Sequence, residues 1–304
     1  MRVRIAAVQY RFRHIDDWDG FARQVAFVLN AAADYKPDYV LLPELFTTQL
    51  LSCMDNDDVH GAVRALAGYA DRYVALLKDF AVADNYYLIG GSHPTLREGR
   101  LYNTAYLFTP RGEVFTQDKL HRTRWEKDEW KTEHGDSLQI FETEHGRIAV
   151  LICYDIEFPE LARRVSELGA EIIFVPSCTD DRQGFLRVRY CCHARAIENQ
   201  VYVAMTSTVG NLPAEGLRLH YGQAAIITPS DFPFARDGIA AEGVINEEQI
   251  VVADVDLHLL DENRLKGTTI PLLDKRTDFY MRIEPQVVRI GGEATVDPGQ
   301  TDVT

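Results

Sequence analysis

The stretch Ile148-Ala-Val-Leu-Ile152 constrains this chain more than any other. It is apolar throughout and rich in β-branched residues, the composition of a strand buried on both faces, and such strands belong to sheets covered by helices. Gly146 punctuates its start, and past its end the sequence turns abruptly polar at Cys153-Tyr-Asp-Ile-Glu157. Pro159-Glu160 then opens a helical spacing through Leu161, Val165 and Leu168, proline being well tolerated in a first helical turn. Cys153 is therefore expected between a strand end and a helix start, where backbone N–H groups and the positive helix end favour a thiolate and an oxyanion alike. By itself the thiol reads equally well as a small buried hydrophobe. The rest of the chain decides between the two.

Strand and helix patterns alternate from the N-terminus. Arg2 to Gln9 reads as a strand, and Asp19 to Ala33 shows helical spacing through Phe21, Val25, Phe27, Val28 and Ala32. The next strand, Tyr39-Val-Leu-Leu42, stops at Pro43-Glu44, so a second reactive side chain follows an apolar strand. Residues 55–86 read as one or two helices, Tyr87 to Gly91 as a strand, and Leu101 to Phe108 with Val114 to Gln117 as a hairpin leading to Lys119. From His121 to His134 there is neither strand nor helix period, which marks a long connecting segment of a kind that often carries function. Further strands are expected at 138–142, 171–176, 201–206, 224–228 and 250–255, and a helix at 183–199, with 231–246 turn-rich. No linker or composition break interrupts the alternation. It predicts one α/β domain over residues 1–285, followed by a tail, 286–304, too poor in apolar residues to build a core and expected to be mobile or to contact an oligomer partner.

Charge narrows the partners. A formal net charge of −14 argues against nucleic acid or an anionic membrane surface, both of which demand a basic footprint, and favours a small molecule. No run of about eighteen apolar residues occurs, and Met1-Arg-Val-Arg-Ile5 enters a strand without a signal-like apolar segment, so a cytoplasmic location is expected. The 5 cysteines are scattered without a CxxC pair, which suggests neither a disulfide framework nor a zinc site.

Glu44, Lys119 and Cys153 each follow a strand, the place where α/β sheets commonly build ligand chemistry. Their chemistries are complementary. A thiol needs a base to become a nucleophile, a desolvated carboxylate can be tuned to that task, and an ammonium can steady an oxyanion. In these stretches, Leu41-Leu-Pro-Glu-Leu-Phe46, Asp118-Lys-Leu-His121 and Leu151-Ile-Cys-Tyr-Asp-Ile-Glu-Phe-Pro-Glu160, the chain resembles the nitrilase superfamily of carbon–nitrogen hydrolases, in the same order and over roughly residues 3–282. Tyr102-Asn103, Pro176-Ser177, Arg195-Ala-Ile-Glu-Asn199 and Tyr221-Gly222 add weaker matches. The resemblance implies a four-layer α-β-β-α sandwich, assembly into a homodimer or larger homo-oligomer, and hydrolysis of a small non-peptide amide without metal or organic cofactor. It implies Glu44 as general base and acid, Lys119 as oxyanion stabiliser, Cys153 as nucleophile forming a thioester, and Tyr154 as a backbone N–H donor to the oxyanion. A second glutamate between lysine and cysteine is also implied, with Glu126 favoured and Glu129 the second choice. Tyr154-Asp155 after the cysteine leans away from true nitrilases towards amidases and carbamoylases. The segment 119–126 resembles a branch in which this domain accompanies an acetyltransferase domain.

Other candidates divide between site and packing. Phe46, Trp125 and Trp130 are expected to shape an acyl pocket or to pack the connecting segment, Cys178 at a strand exit to be pocket wall or buried packing, Thr179 and Asp180 to contact polar groups of the substrate, and His121 to line the pocket or brace its loop. Cys191-Cys192-His193 are neighbours on a predicted helix, where adjacent side chains point apart, so packing is expected there. Two rival readings are a non-catalytic scaffold keeping the fold and a redox-responsive thiol protein.

Overall fold

The structure, a computed structural model, describes residues 1–54, 58–212 and 219–283. Its first unit, Met1–Leu273, begins β1 (Arg2–Phe12), α1 (Trp18–Ala33), β2 (Tyr39–Leu41), α2 (Val59–Ala67), α3 (Ala70–Ala83), β3 (Tyr87–Arg97), β4 (Arg100–Phe108) and β5 (Val114–Asp118). It continues with β6 (Phe141–Thr143), β7 (Gly146–Val150), α4 (Pro159–Glu167), β8 (Ile172–Ser177), α5 (Arg182–Asn199) and β9 (Tyr202–Gly210). β10 (Ala225–Ile227), β11 (Ile239–Glu242), β12 (Gln249–Asp256) and α6 (Leu257–Lys266) follow. The second unit starts at Asp274 and contains a short helix, Thr277–Tyr280. The expected tail, 286–304, lies outside the described residues.

The strands form two halves. β1, β2 and β3 run parallel, β4 and β5 add a meander to β3, and β12 lies antiparallel along the other edge of β1. In the second half β7, β8 and β9 run parallel, with antiparallel β6 at one side and β10 then β11 at the other. The last residues of β1, Tyr10 to Phe12, pair with Thr208 to Gly210 of β9 and so join the halves through one continuous strand.

Strand alternation then sorts the side chains into layers. Val3 and Ile5 of β1, Tyr39 and Leu41 of β2 and Ile89 of β3 share an apolar cluster with Ile148, Ile172, Phe174 and Val203 of the other half. The Tyr39 and Phe174 rings meet across it at 5.2 Å. Intervening residues Ala6, Val8, Val40 and Leu88 face outward onto Phe21, Val25 and Leu29 of α1 and Tyr73 and Leu77 of α3. The second half is covered by Ala162 and Val165 of α4 and by Phe185, Val188, Cys192 and Ala196 of α5. The architecture is thus the four-layer α-β-β-α sandwich. Each fully buried Leu, Ile or Phe contributes roughly 1.5–3 kcal/mol of transfer free energy, on the inner sheet faces and beneath the helices alike.

Three local differences from the sequence pattern have physical causes. The expected strand at 138–142 starts only at Phe141, because Gln117 takes the backbone before it: its Nε2 donates to Ser137 O at 2.7 Å and its Oε1 accepts from Gln139 N at 2.9 Å. The turn-rich stretch 231–246 contains β11, paired to β10. Between β7 and α4 a 3₁₀ helix, Cys153–Glu157, intervenes, so Cys153 starts that tight turn rather than the α-helix opened by Pro159.

Candidate active site

Glu44 reaches the interior because β3 yields to the turn after β2. Leu42 still donates to Ile89 O at 2.8 Å, but the β3–β4 register shifts between Ile89 and Ser92. Gly91 sits there at φ +68, and a Cβ on it would lie 2.0 Å from Pro43 O. Only glycine fits such an approach in the left-handed region. Leu45, itself at φ 51, donates its N–H to Ser92 Oγ at 3.1 Å. The chain then enters an unanticipated 3₁₀ helix, Phe46–Cys53.

The Glu44 carboxylate is 2% exposed, and three donors hold it: Lys119 Nζ at 2.7 Å and Asn103 Nδ2 at 2.9 Å on Oε1, and the backbone N–H of Cys178 at 2.9 Å on Oε2. Lys119 gives a second hydrogen bond to Glu126 Oε2 at 2.9 Å, and Asn103 a second to Glu126 Oε1 at 2.9 Å. One ammonium and one amide thereby bridge two buried carboxylates. Glu126 begins a short π-helical turn, Glu126–Trp130, and its Oε2 also accepts from Thr123 N at 2.8 Å and Thr123 Oγ1 at 2.9 Å.

The electrostatics follow from burial and charge count. Burial pushes the Glu44 carboxyl above its ordinary range, outweighing the downward pull of Lys119, and repulsion from Glu126 adds to it. Burial acts the same way on Glu126, but there Lys119, Asn103 and Thr123 prevail and hold it below the usual range. For Lys119 burial opposes the charge, yet Glu126 and Glu44 together raise it well above an ordinary lysine. The trio is therefore an ammonium, a firmly ionised Glu126, and a Glu44 of raised proton affinity.

Cys153 follows β7 at φ +47, a left-handed conformation that costs a non-glycine residue roughly 1–3 kcal/mol and persists only where its surroundings over-determine it. The turn is closed by Asp155 N donating to Ile152 O at 2.9 Å and braced from α5, where Arg195 Nε donates to Ile156 O at 3.0 Å and Nη2 to Glu157 O at 3.1 Å. That places the Arg195–Asn199 segment in a supporting role. The Cys153 thiol points to the carbonyl of Cys178 at 4.0 Å, with the Glu44 carboxylate near enough to act on it electrostatically. Burial pushes it well above a free thiol, with Glu44 adding to the effect and Lys119 opposing it. At rest the sulfur is a thiol, in the same cavity as the Glu44 carboxylate.

A cavity of about 820 Å³ opens over these groups. Glu44, Lys119, Glu126, Cys153, Tyr154, Trp125, Cys178 and Thr179 line it. Phe46, His121 and Glu129 do not. Phe46 is buried against Tyr10, Phe21 and Tyr73; His121 stacks on Phe158 at 3.5 Å and bonds Asp155; Glu129 is exposed on the π-helical turn. The structure thus separates the two glutamate candidates, Glu126 inside and Glu129 outside. Cys191 and Cys192 lie on α5 away from the cavity, Cys192 in the core.

Sequence reasoning gave no site role to Asn103, Thr123, Arg124, Arg187 or His220. Asn103 carried a signal, since asparagine inside a strand is disfavoured unless its amide has work to do. Gly222 carried another: a Cβ there would come within 2.2 Å of Ser207 Cβ, and next to it Tyr221 N–H donates to Thr179 O at 2.8 Å. His220 beside it has Nδ1 3.0 Å from Thr208 Oγ1 and 3.6 Å from Cys178 Sγ. Among the described residues no group of His, Cys, Asp or Glu is placed to hold a metal ion, and no helix is long and apolar enough to cross a membrane.

Comparison with known proteins places this geometry. A family profile described as carbon-nitrogen hydrolase matches residues 4–264. The probable hydrolase YhcX of Bacillus subtilis (strain 168) is 47% identical over 279 residues, covering 91% of this chain and 54% of YhcX, so the chain spans about half the length of that relative. Omega-amidase NIT2 of Homo sapiens is 30% identical over 293 residues, covering 91% of this chain and 96% of NIT2. The crystal structure of Saccharomyces cerevisiae Nit3, a member of branch 10 of the nitrilase superfamily, matches with a TM-score of 0.72 at 25% identity, over 88% of this chain and 96% of Nit3. With the profile spanning most of its residues and YhcX so similar across them, the chain belongs to the carbon-nitrogen hydrolase family, within the nitrilase superfamily.

Proposed function

We propose that the protein is a thiol-dependent amidase, hydrolysing a small carboxamide or ω-amide to the acid and ammonia through a thioester on Cys153. One observation carries the reading: Lys119, buried and charged, is shared by Glu44 and Glu126 in the cavity that also holds the Cys153 thiol. A lone thiol sensor or an inert scaffold has no use for two carboxylates and an ammonium kept dry beside it, since such groups are costly to bury. The omega-amidase relatives support the amide class over nitriles and carbamoyl amines.

The steps follow from the positions. Glu44, its proton affinity raised, takes the proton from Cys153 as sulfur attacks the amide carbonyl carbon. Negative charge gathers on the carbonyl oxygen and is met by the Lys119 ammonium and the backbone N–H of Tyr154. Glu44 returns the proton to the departing nitrogen, the C–N bond breaks, and ammonia leaves. The same carboxylate then deprotonates water, which attacks the thioester carbon and frees the acid and the thiol. Glu126 keeps Lys119 protonated and aimed, with Asn103 fixing both carboxylates. Nothing in these steps calls for a metal or an organic cofactor. Trp125 and Thr179 contact the acyl portion, with Cys178 behind them.

Incubation with short carboxamides and ω-amido acids, with ammonia and the mass of Cys153 recorded, tests the reading. Wild type releases ammonia and carries an acyl adduct; a Cys153→Ala variant that releases ammonia as fast as wild type overturns it. The likeness of segment 119–126 to acetyltransferase-associated members supports a relation to that branch. Residues 1–285 are proposed as the catalytic domain and 286–304 as its tail. Assembly into a homodimer or larger oligomer is the accompanying proposal, read out by sedimentation.

A further inference from the structure

The buried carboxylate of Asp155 is used by none of these steps, yet it is one of the most heavily bonded side chains near the site. It is 1% exposed. Its Oδ1 accepts from the backbone N–H of His121 at 2.7 Å and from His121 Nδ1 at 3.1 Å. Its Oδ2 accepts from the backbone N–H of Leu120 at 3.2 Å and from that of Ile152 at 3.3 Å. Leu120 and His121 directly follow Lys119, and Ile152 directly precedes Cys153. The segments it joins arrive from opposite halves of the sandwich, after β5 and after β7. No other side-chain hydrogen bond among the described residues links residues 119–121 to residues 152–155.

We infer that Asp155 is a positioning residue that sets the distance between the Lys119 ammonium and the Cys153 sulfur by tying the two strand exits together. The inference rests on the amidase reading for its consequence and on hydrogen-bond geometry for its substance. Charge-assisted bonds to a buried carboxylate are stronger and stiffer than neutral ones. Here they act on backbone, so that moving either exit means breaking one. The carboxylate also holds Cys153 in its left-handed conformation, because the Ile152–Asp155 turn is closed from both directions, N–H to carboxylate and N–H to carbonyl. Asparagine in its place keeps the shape but offers one acceptor oxygen, and its NH₂ group meets an N–H donor head-on. His121, which does not line the cavity, gains its purpose here: it braces the clamp from outside, its ring stacked on Phe158.

The test compares wild type, Asp155→Asn and His121→Ala for kcat, KM, thermal unfolding and the rate at which 2-chloroacetamide alkylates Cys153. A misplacement of reacting groups by about 1 Å costs on the order of 10²-fold, so Asp155→Asn is expected to lower kcat by about that factor with KM within about threefold. Alkylation of Cys153 falls in parallel. Should Asp155→Asn fail to fold, His121→Ala carries the same test at a partly exposed position, with kcat several-fold lower and KM unchanged. A folded Asp155→Asn, or failing that His121→Ala, with wild-type kcat and alkylation overturns the inference. So does a loss of activity that merely follows the unfolded fraction, leaving kcat per folded molecule intact. If wild type hydrolyses no amide, the amidase reading fails alone, and the alkylation rates still decide whether Asp155 positions the thiol.

Discussion

At the scale of single residues, the site works by unequal treatment of two carboxylates. Glu44 and Glu126 share the same lysine and the same asparagine, yet burial wins at Glu44, while at Glu126 the charge of Lys119 and the hydrogen bonds from Asn103, Lys119 and Thr123 win. The acid limb of kcat/KM should therefore lie above the ordinary carboxylate value. Below it Glu44 carries a proton and cannot accept one from Cys153, so the rate falls as pH drops; a limb at or below the ordinary value contradicts the assignment of the base. Glu44→Gln removes the proton acceptor and is expected to lower kcat by about 10²–10⁴-fold, the usual range for general acid–base groups. Lys119→Met removes the charge facing the oxyanion, and single-turnover acylation should slow by about 10²–10³-fold. Glu126 was legible in the sequence only through resemblance. Its spacing from Lys119 does not exclude Glu129; the π-helical turn does, by directing one residue inward and the other to solvent.

At the scale of elements, strand exits were readable and the backbone devices that aim them were not. β2, β5 and β7 end within two residues of the strand ends read from the pattern, so Glu44, Lys119 and Cys153 could be picked out from the sequence. The left-handed turn at Cys153 and the close pass of Pro43 over Gly91 could not, because conformation at a single residue leaves no periodicity. Phe46, two residues after Glu44, read equally as pocket wall or packing, and the 3₁₀ helix it opens turns it into the core. The glycine is testable. Gly91→Ala adds a Cβ in conflict with Pro43 O at a positive φ, and a loss of about 1–3 kcal/mol in urea unfolding is expected, together with lower activity from a displaced Glu44. An alanine variant as stable as wild type would show that the β3 register shift alone, not the missing side chain, admits the Glu44 turn.

At the scale of the whole molecule, the α/β alternation gave the layers, since buried parallel strands need helices outside them. It could not give the pairing of β1 with β2, β9 and β12, which depends on contacts between residues far apart in sequence. Among the described residues the halves are bonded to each other through β1 and β9: the first residues of β1 pair with β2 and β12, its last with β9. Neither half can therefore come apart without breaking a strand that belongs to the other. Hydrogen exchange should find the amides of Ile5 to Val8 and of Phe174 and Ala204 opening together, at the free energy of global unfolding. Two separable transitions would mean that the shared strand frays at its tip. The same linkage ties the proposed activity to survival of the whole fold: Glu44 hangs from one half and Cys153 from the other, so on that reading partial melting of either erases activity at the moment cooperative structure is lost, and heat inactivation reports directly on unfolding.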